Sequence, residues 1–503
     1  MKKYKTPVII GVAQYTQYKS TINPLDPLYL MEKTAHEALN DSGSSELVDI
    51  LDSVYMINIY SWSYKDAPGE LSKLLGFKPK NKVYLPDGGN TPQMLMNRAS
   101  KNLAHGKANA ILITGAEAYY SFHKNKLGEL NLSWPVREEP KYMEGKMWHG
   151  ITPFENKYKL RIPPYSYALF ETAIRANNGE SIQEHNNLIG SLFQHFSEVA
   201  SNNSHAWTND AFSAEKIIEP NPNNRYVCHP YTKRMCSNMF IDQSSSVIIT
   251  TIDIAESLNI NESLWIYPMG GADLQNIFAI TQRPNLYDSP ALKEASKLAL
   301  KQAGLTLNEI NAFDLYSCFP SIVQIALNEI GISKSDSRPL TLTGGLPFFG
   351  GPWSNYSLHA IVKAVEIIRK NSMFKILIFA NGGYNTKASI GIYGKEPSQE
   401  PWGKRNDVAI QKFLLSDPLP KPIEKANGII TIEAYTIIYN KEGLPTEGIA
   451  IGKLNNGIRT LAKIQSSNKI LKELEKEELV GKKFEVFYHS KKKENIIDLK
   501  DFN

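Results

Sequence analysis

The chain's reactive side chains are few and scattered. Its three cysteines are Cys228, Cys236 and Cys318, too few for a disulfide framework and without a CxxC pair. Cys228, His229 and Cys236 fall in Arg225-Tyr-Val-Cys-His-Pro-Tyr-Thr-Lys-Arg-Met-Cys. That spacing suits no standard zinc pattern, so no metal site is expected. Arg225, Lys233 and Arg234 in the same stretch either meet phosphates or are simple surface charge. His149 and His359 carry the side chain best matched to acid–base work near neutral pH. In Tyr356-Ser-Leu-His-Ala-Ile, however, the helical pattern equally suits a structural histidine. Backbone can do chemistry as well. Gly88-Gly89-Asn90-Thr91-Pro92 opens a helical pattern, so its N–H groups could hold a carbonyl or phosphate oxygen. The same glycines also permit a tight strand-to-helix turn.

The elements around these residues alternate. Val8-Ile-Ile-Gly-Val reads as a buried strand, and Leu28 to Asp41 carries apolar residues at helical spacing with Gly43 as its cap. Leu51 to Tyr60 and Val83-Tyr-Leu read as strands, Gln93 to Ala104 as a helix, and Ala110-Ile-Leu-Ile-Thr-Gly as a buried strand. This order predicts βαβ units around a largely parallel sheet. It then recurs. Ala38-Leu39 falls on Ala299-Leu300 and Gly43 on Gly304, an offset of 261, and Ala110-Ile-Leu-Ile-Thr falls on Lys375-Ile-Leu-Ile-Phe, an offset of 265. Two helix–strand pairs at nearly equal offsets indicate an internal duplication.

Between the copies lies an excursion over 119–225, rich in aromatic, Pro and Asn residues, with an amphipathic helix over Ile182 to Ser201. After Asp417-Pro-Leu-Pro-Lys-Pro come short β-rich runs separated by Asn/Gly turns, which suggest a small OB-like barrel. The expected division is therefore 1–260 for a first half with its excursion at about 119–225, 261–400 for a second half, and 415–503 for a β-rich addition. The aromatic stretch Tyr55–Tyr64 reads equally as a lined surface or as core.

Bulk properties bound the partners. At 503 residues, 42% hydrophobic and 21% charged, the chain resembles a soluble globular protein. A net charge of +5 is too mild to argue for nucleic acid. No apolar run approaches the roughly 18 residues of a membrane span, and the N-terminus does not read as a signal peptide. A cytoplasmic location is expected.

Several phrases together resemble the thiolase superfamily. Pro7-Val-Ile-Ile-Gly-Val-Ala-Gln is similar to its first strand, and Asn238-Met-Phe-Ile-Asp-Gln-Ser-Ser-Ser to its Asp-Gly-Ala-Ala-Ala entry. Ser317-Cys318-Phe319 resembles the Asp-Cys-Phe of sterol-carrier-type thiolases, and Gly344-Gly345-Leu…Gly350-Gly351-Pro352 resembles Gly-Gly-x…Gly-His-Pro. The long form, with Gly-Gly-Pro-Trp-x-Asn-Tyr and Asn-Gly-Gly-Tyr-x-Thr-Lys, looks most like the thiolase-like protein type 1 group. The resemblance implies an α/β thiolase fold of two duplicated βαβ halves in five layers, α-β-α-β-α. It also implies an acyltransferase class acting on CoA thioesters, hence lipid metabolism.

The family's chemistry does not carry over residue by residue. By resemblance, the nucleophilic Cys falls on Gly89 or Asn90, the activating His on Gly351, the second Cys on Ala380, and the polar start of the fourth motif on Tyr316. Losing one such group costs ~10²–10⁴ in rate, so ordinary thiolase activity is not expected. Gly382 and Gly383 are placed like the backbone of an oxyanion hole. Cys318, with Tyr316 near it, is either a displaced nucleophile or a small buried hydrophobe. Two readings stay open: an altered acyl-CoA enzyme, or a non-catalytic acyl-CoA-binding or scaffolding subunit of an acyl-transfer complex. No bound cofactor is implied, a CoA thioester being the substrate or ligand. A homodimer or a separate partner protein fits the family, and an added C-terminal domain could equally cover a dimer surface.

Overall fold

The computed structural model describes residues 5–145 and 150–499. Two sheets form the body. The first has five strands in the order Pro7–Thr16, Asp242–Thr251, Ala110–Ala118, Leu51–Met56, Asn81–Tyr84, and its last three are parallel. The second has four, in the order Tyr267–Gln275, Lys387–Gly394, Ile376–Gly382, Ala312–Leu315.

Helices Thr91–Ala104 and Tyr356–Lys370 lie between the two sheets. They are buried nearly all round, as a central layer requires. Their polar groups are accordingly paired: Asn97 Nδ2 donates to Asp273 at 3.0 Å, and the Tyr393 hydroxyl donates to Gln93 at 2.8 Å. Helix Pro27–Asp41 covers the outer face of the first sheet and Pro290–Ala303 that of the second. The order is α-β-α-β-α, the five layers that the sequence resemblance implies.

The duplication is visible at one contact. A Cβ on Gly11 would strike the backbone carbonyl of Ala38, and a Cβ on Gly270 that of Ala299. Each half thus presses its outer helix onto its sheet at a glycine. Ala38 and Ala299 are also the pair aligned in the sequence repeat. Gly304 caps its helix in the left-handed conformation with φ 69°, and Gly43 has φ 72°.

Several boundaries are shorter or longer than the sequence pattern suggests. The strand at Leu51 ends at Met56, and the helix expected from Gln93 begins at Thr91. The excursion holds the expected helix Ile182–Ser201, closed by a Ser181–Glu184 capping box, and a second long helix, Pro163–Asn178. The stretch Tyr55–Tyr64 divides: Tyr55 and Tyr64 are core, and Tyr60 is exposed.

Strands Gly428–Tyr439, Pro445–Leu454, Arg459–Gln465, Glu494–Asp498 and Lys483–His489 pair in a ring, the first closing on the second. This five-stranded barrel matches the OB-like expectation. Strands Tyr226–Cys228 and Tyr231–Thr232, which directly follow the excursion, extend it. The free edge of the first sheet, Asn81–Tyr84, is also covered. Glu144 N donates to Tyr84 O at 2.8 Å, the Tyr142 hydroxyl to Lys82 O, and Arg98 clasps Glu144 through two bonds. Covering removes an edge that would otherwise template pairing. Among the described residues no helix is long and apolar enough to cross a membrane.

Candidate functional site

The site lies where the opening of helix Thr91–Ala104 from the first half meets the end of strand Ile376–Gly382 from the second. Gly89 sits directly against this second half. A Cβ there would overlap the Tyr316 hydroxyl and the Asn381 carbonyl. Asn90 turns the other way: its Nδ2 donates to Ser389 Oγ at 3.1 Å, and its Oδ1 packs where Gly382 lacks a side chain. The two positions have different neighbours. Position 89 faces Tyr316, and position 90 faces the Gly382–Ser389 ladder.

Tyr316 follows strand Ala312–Leu315 and is anchored by Tyr316 N donating to Phe379 O at 3.1 Å. Its ring lies edge-on to Tyr356 at 5.6 Å. Tyr356 is itself held by Thr343 at 2.7 Å and Asp314 at 3.1 Å. Burial raises the Asp314 pKa to about 6, even though Leu342 N, Thr343 N and the hydroxyls of Tyr356 and Thr341 donate to it. The Tyr316 hydroxyl makes no hydrogen bond to any described residue, and burial pushes its pKa far up, so it is a neutral donor. The N–H groups of Gly89 and Asn90 likewise donate to no described residue. Three donors without a protein partner therefore lie near the start of a helix, where the peptide dipoles favour negative charge.

Cys318 is two residues beyond Tyr316 and buried. Burial pushes its thiol up to about 12, against the lowering effect of a hydrogen bond with Tyr167. The protonated thiol is the unreactive form at neutral pH. Tyr167 is in turn held by Asn381 Nδ2, which donates to its hydroxyl at 2.8 Å. Gly351 lies on the same side: Ser237 N donates to Cys318 O at 3.0 Å, and a Cβ on Gly351 would overlap Ser237 Oγ. The Gly351 N–H is already engaged by Asn238 O at 2.8 Å. Gly383, with φ 62°, begins a turn continued by Tyr384 and Asn385, also at positive φ. Arg283 braces that turn, donating to Tyr384 O and Thr386 Oγ1, both at 2.8 Å.

The structure thus gathers Gly89, Asn90, Tyr316, Gly382, Gly383, Cys318 and Gly351 about one junction. Tyr167, Asn381, Ser237 and Ser389 complete the surroundings. Only contact reveals them, because their spacing in the sequence carries no signal. His359 is fully buried, faces Gln14 at 3.1 Å, and is pushed down to about 3 by burial. It is a neutral structural residue. His149 lies outside the described residues. Arg225 and Arg234 spend bonds on the carbonyls of Tyr226 and Lys216, and Arg234 also lies over the Phe212 ring. Among the described residues no group of three His, Cys, Asp or Glu side chains could hold a metal ion.

Two duplicated halves around two buried helices, with a glycine-opened helix facing a Gly-Gly turn, define a thiolase-fold protein. Comparison with known proteins narrows this. Residues 409–491 match the thiolase-like protein type 1 additional C-terminal domain. The chain is 30% identical to the monomeric SCP2-thiolase like protein type 1 from Mycobacterium smegmatis, with a TM-score of 0.84 over 99% of each chain. It therefore belongs to the thiolase-like protein type 1 family. Human mitochondrial 3-ketoacyl-CoA thiolase, solved in complex with CoA, shares the fold at 15% identity and a TM-score of 0.55, covering 78% of this chain and 98% of that one. The Ltp2-ChsH2(DUF35) aldolase does so at 17% and 0.59, covering 77% and 97%. A stretch of 89 residues is 28% identical to the 3-ketoacyl-CoA thiolase of Enterobacter sp. (strain 638), 18% of this chain. That match spans 23% of the curated relative's length.

Proposed function

We propose that the junction binds the thioester carbonyl of an acyl-CoA and does not carry out thiolase chemistry. The observation behind this reading is the contact between Gly89 and Tyr316. Where the resembled enzymes place a nucleophile at the helix start, this chain has a bare backbone and a phenol packed against it. A side chain at position 89 would have to displace Tyr316. The activating His and the second Cys correspond here to Gly351 and Ala380, so acid–base groups are missing together with the nucleophile. What is left is a set of donors: Gly89 N–H, Asn90 N–H and the Tyr316 hydroxyl. Such a set suits a polarised carbonyl oxygen in its ground state as well as an oxyanion. Tyr316 then acts as a donor and Cys318 as part of the wall.

Removing one donor tests the reading. In calorimetric titration with acetyl-CoA, Tyr316→Phe should bind about tenfold more weakly than the unaltered protein, the scale of one lost hydrogen bond. Equal affinities would remove the hydroxyl from the site. No saturable binding by the unaltered protein would sink the CoA assignment itself.

A further inference from the structure

A cleft of about 690 Å³ opens on the far side of the first sheet from the junction, between the start of helix Pro27–Asp41, helix Ala67–Leu74 and the segment 133–135. Its size is within the usual range for small-molecule pockets. Tyr29, Tyr64 and Trp134 make much of its wall aromatic. Two hydrogen bonds pin that wall in place. Trp134 Nε1 donates to Pro24 O at 2.8 Å, and the Tyr64 hydroxyl donates to Asp26 Oδ1.

Asp26 is 3% exposed, and its two oxygens are unequal. Oδ1 accepts from Leu28 N at 2.8 Å, from Tyr29 N at 3.4 Å and from Tyr64. Oδ2 accepts from no described residue, and unlike the sealed, partnerless atoms of the interior it keeps access to solvent. A carboxylate can accept about four hydrogen bonds, so Oδ2 is an open and charged acceptor in the cleft. Glu70 adds a second carboxylate to the lining. Its Oε1 accepts from Asp66 N at 3.0 Å. Lys73, the cation of the lining, is exposed and forms no ion pair with a described residue. The cleft therefore combines an excess of negative charge with an aromatic wall.

We propose that this cleft binds a small primary ammonium ion with a short apolar body. The ammonium N–H would donate to Asp26 Oδ2, a charge-assisted bond stronger than one between neutral groups. Its positive charge would also be drawn to Glu70 and to the aromatic rings. The body would lie on Leu25 and Leu74. A quaternary ammonium lacks the donor that Oδ2 accepts, and a carboxylate would meet like charge.

A matched pair of probes tests this. Hexylammonium and 1-hexanol have the same length and nearly the same shape, but only the first is charged at neutral pH. By ligand-observed NMR titration the full-length protein should bind hexylammonium saturably and at least tenfold more tightly than the alcohol. Asp26→Asn keeps an acceptor for the helix start and removes the charge. It should weaken the amine at least tenfold and the alcohol far less. Tyr29→Ala, at an exposed position, should weaken the amine about threefold while leaving the melting temperature unchanged. Absence of saturable amine binding, equal affinity for the two probes in the unaltered protein, or undiminished amine binding by either variant would each overturn the proposal.

Discussion

His185→Leu should destabilise the protein by about 3–5 kcal/mol, the range for removing one partner of a buried charge pair. His185 is 1% exposed, and both of its ring nitrogens face carboxylates: Nε2 donates to Glu171 at 2.6 Å and Nδ1 to Glu180 at 2.7 Å. Two acceptors require two donors, so the ring is an imidazolium. Tyr231 also donates to Glu171 at 2.6 Å, and shares a hydrogen bond with Ser321 at 2.8 Å. One buried cluster thereby ties both excursion helices to helix Pro320–Ile330, just beyond Cys318. Leucine would leave Glu171 buried without its cation.

The effect should depend on pH, and its sign follows from the site. Burial alone would lower the His185 pKa, but the hydrogen bonds and charges of Glu171 and Glu180 outweigh it and raise the value. In the unfolded chain the imidazole titrates near ~6.5. The stabilisation is therefore complete below that pH and fades as pH rises through the higher folded value. Urea unfolding of both proteins from pH 6 to pH 9 should show the gap between them narrowing. A gap that is absent at pH 6, or that widens with pH, would contradict an imidazolium at this position.

Arg459→Met should cost a similar ~3–5 kcal/mol and should also loosen the barrel's hold on the site. Arg459 has 1% of its side chain exposed and makes a two-pronged bond to Glu433 at 2.7 and 3.0 Å. Its guanidinium also donates to the carbonyls of Arg283 at 2.6 Å and Thr281 at 3.2 Å. Arg283 in turn braces the Gly383–Thr386 turn. Two arginines thus run from the barrel to the junction between the halves. Methionine keeps the stem but leaves Glu433 with Lys453, at 3.3 Å, in place of the two-pronged bond, and takes the donor from two carbonyls. Limited proteolysis should then cut the 404–427 connection faster than in the unaltered protein, and hydrogen exchange should rise at 383–386. Unchanged exchange there would mean that the barrel and the site are mechanically separate.

Much of this architecture could be read from the sequence because it repeats. The Ala38/Ala299 and Ala110/Lys375 alignments are helix and strand surfaces that must face the same kind of neighbour twice. The amphipathic helix Ile182–Ser201 carries its own start signal in Ser181 and Glu184. The barrel was legible in its alternating runs and Asn/Gly turns. Tyr226–Cys228 was not, because a three-residue strand shows no periodicity and its partner Ile438 is some two hundred residues away. The cluster of Glu171, His185, Tyr231 and Gln324 was hidden for the same reason. Each residue is ordinary in its own stretch, and only the fold brings them together. At the site, the glycines were visible as backbone signals. That position 89 faces Tyr316 and position 90 faces Ser389 depends on a turn of less than one residue, which spacing alone does not resolve.

The central claim is binding by a thiolase-fold junction that lacks thiolase chemistry, and one paired measurement tests it directly. The protein is incubated with acetyl-CoA and acetoacetyl-CoA while free CoA thiol is followed with a thiol reagent and binding is followed by calorimetry in the same buffer. The expected result is saturable binding at one site per chain, with thiol release no faster than in buffer. Release of CoA over many turnovers, abolished in Tyr316→Phe or Cys318→Ala, would contradict it and make the junction an active centre.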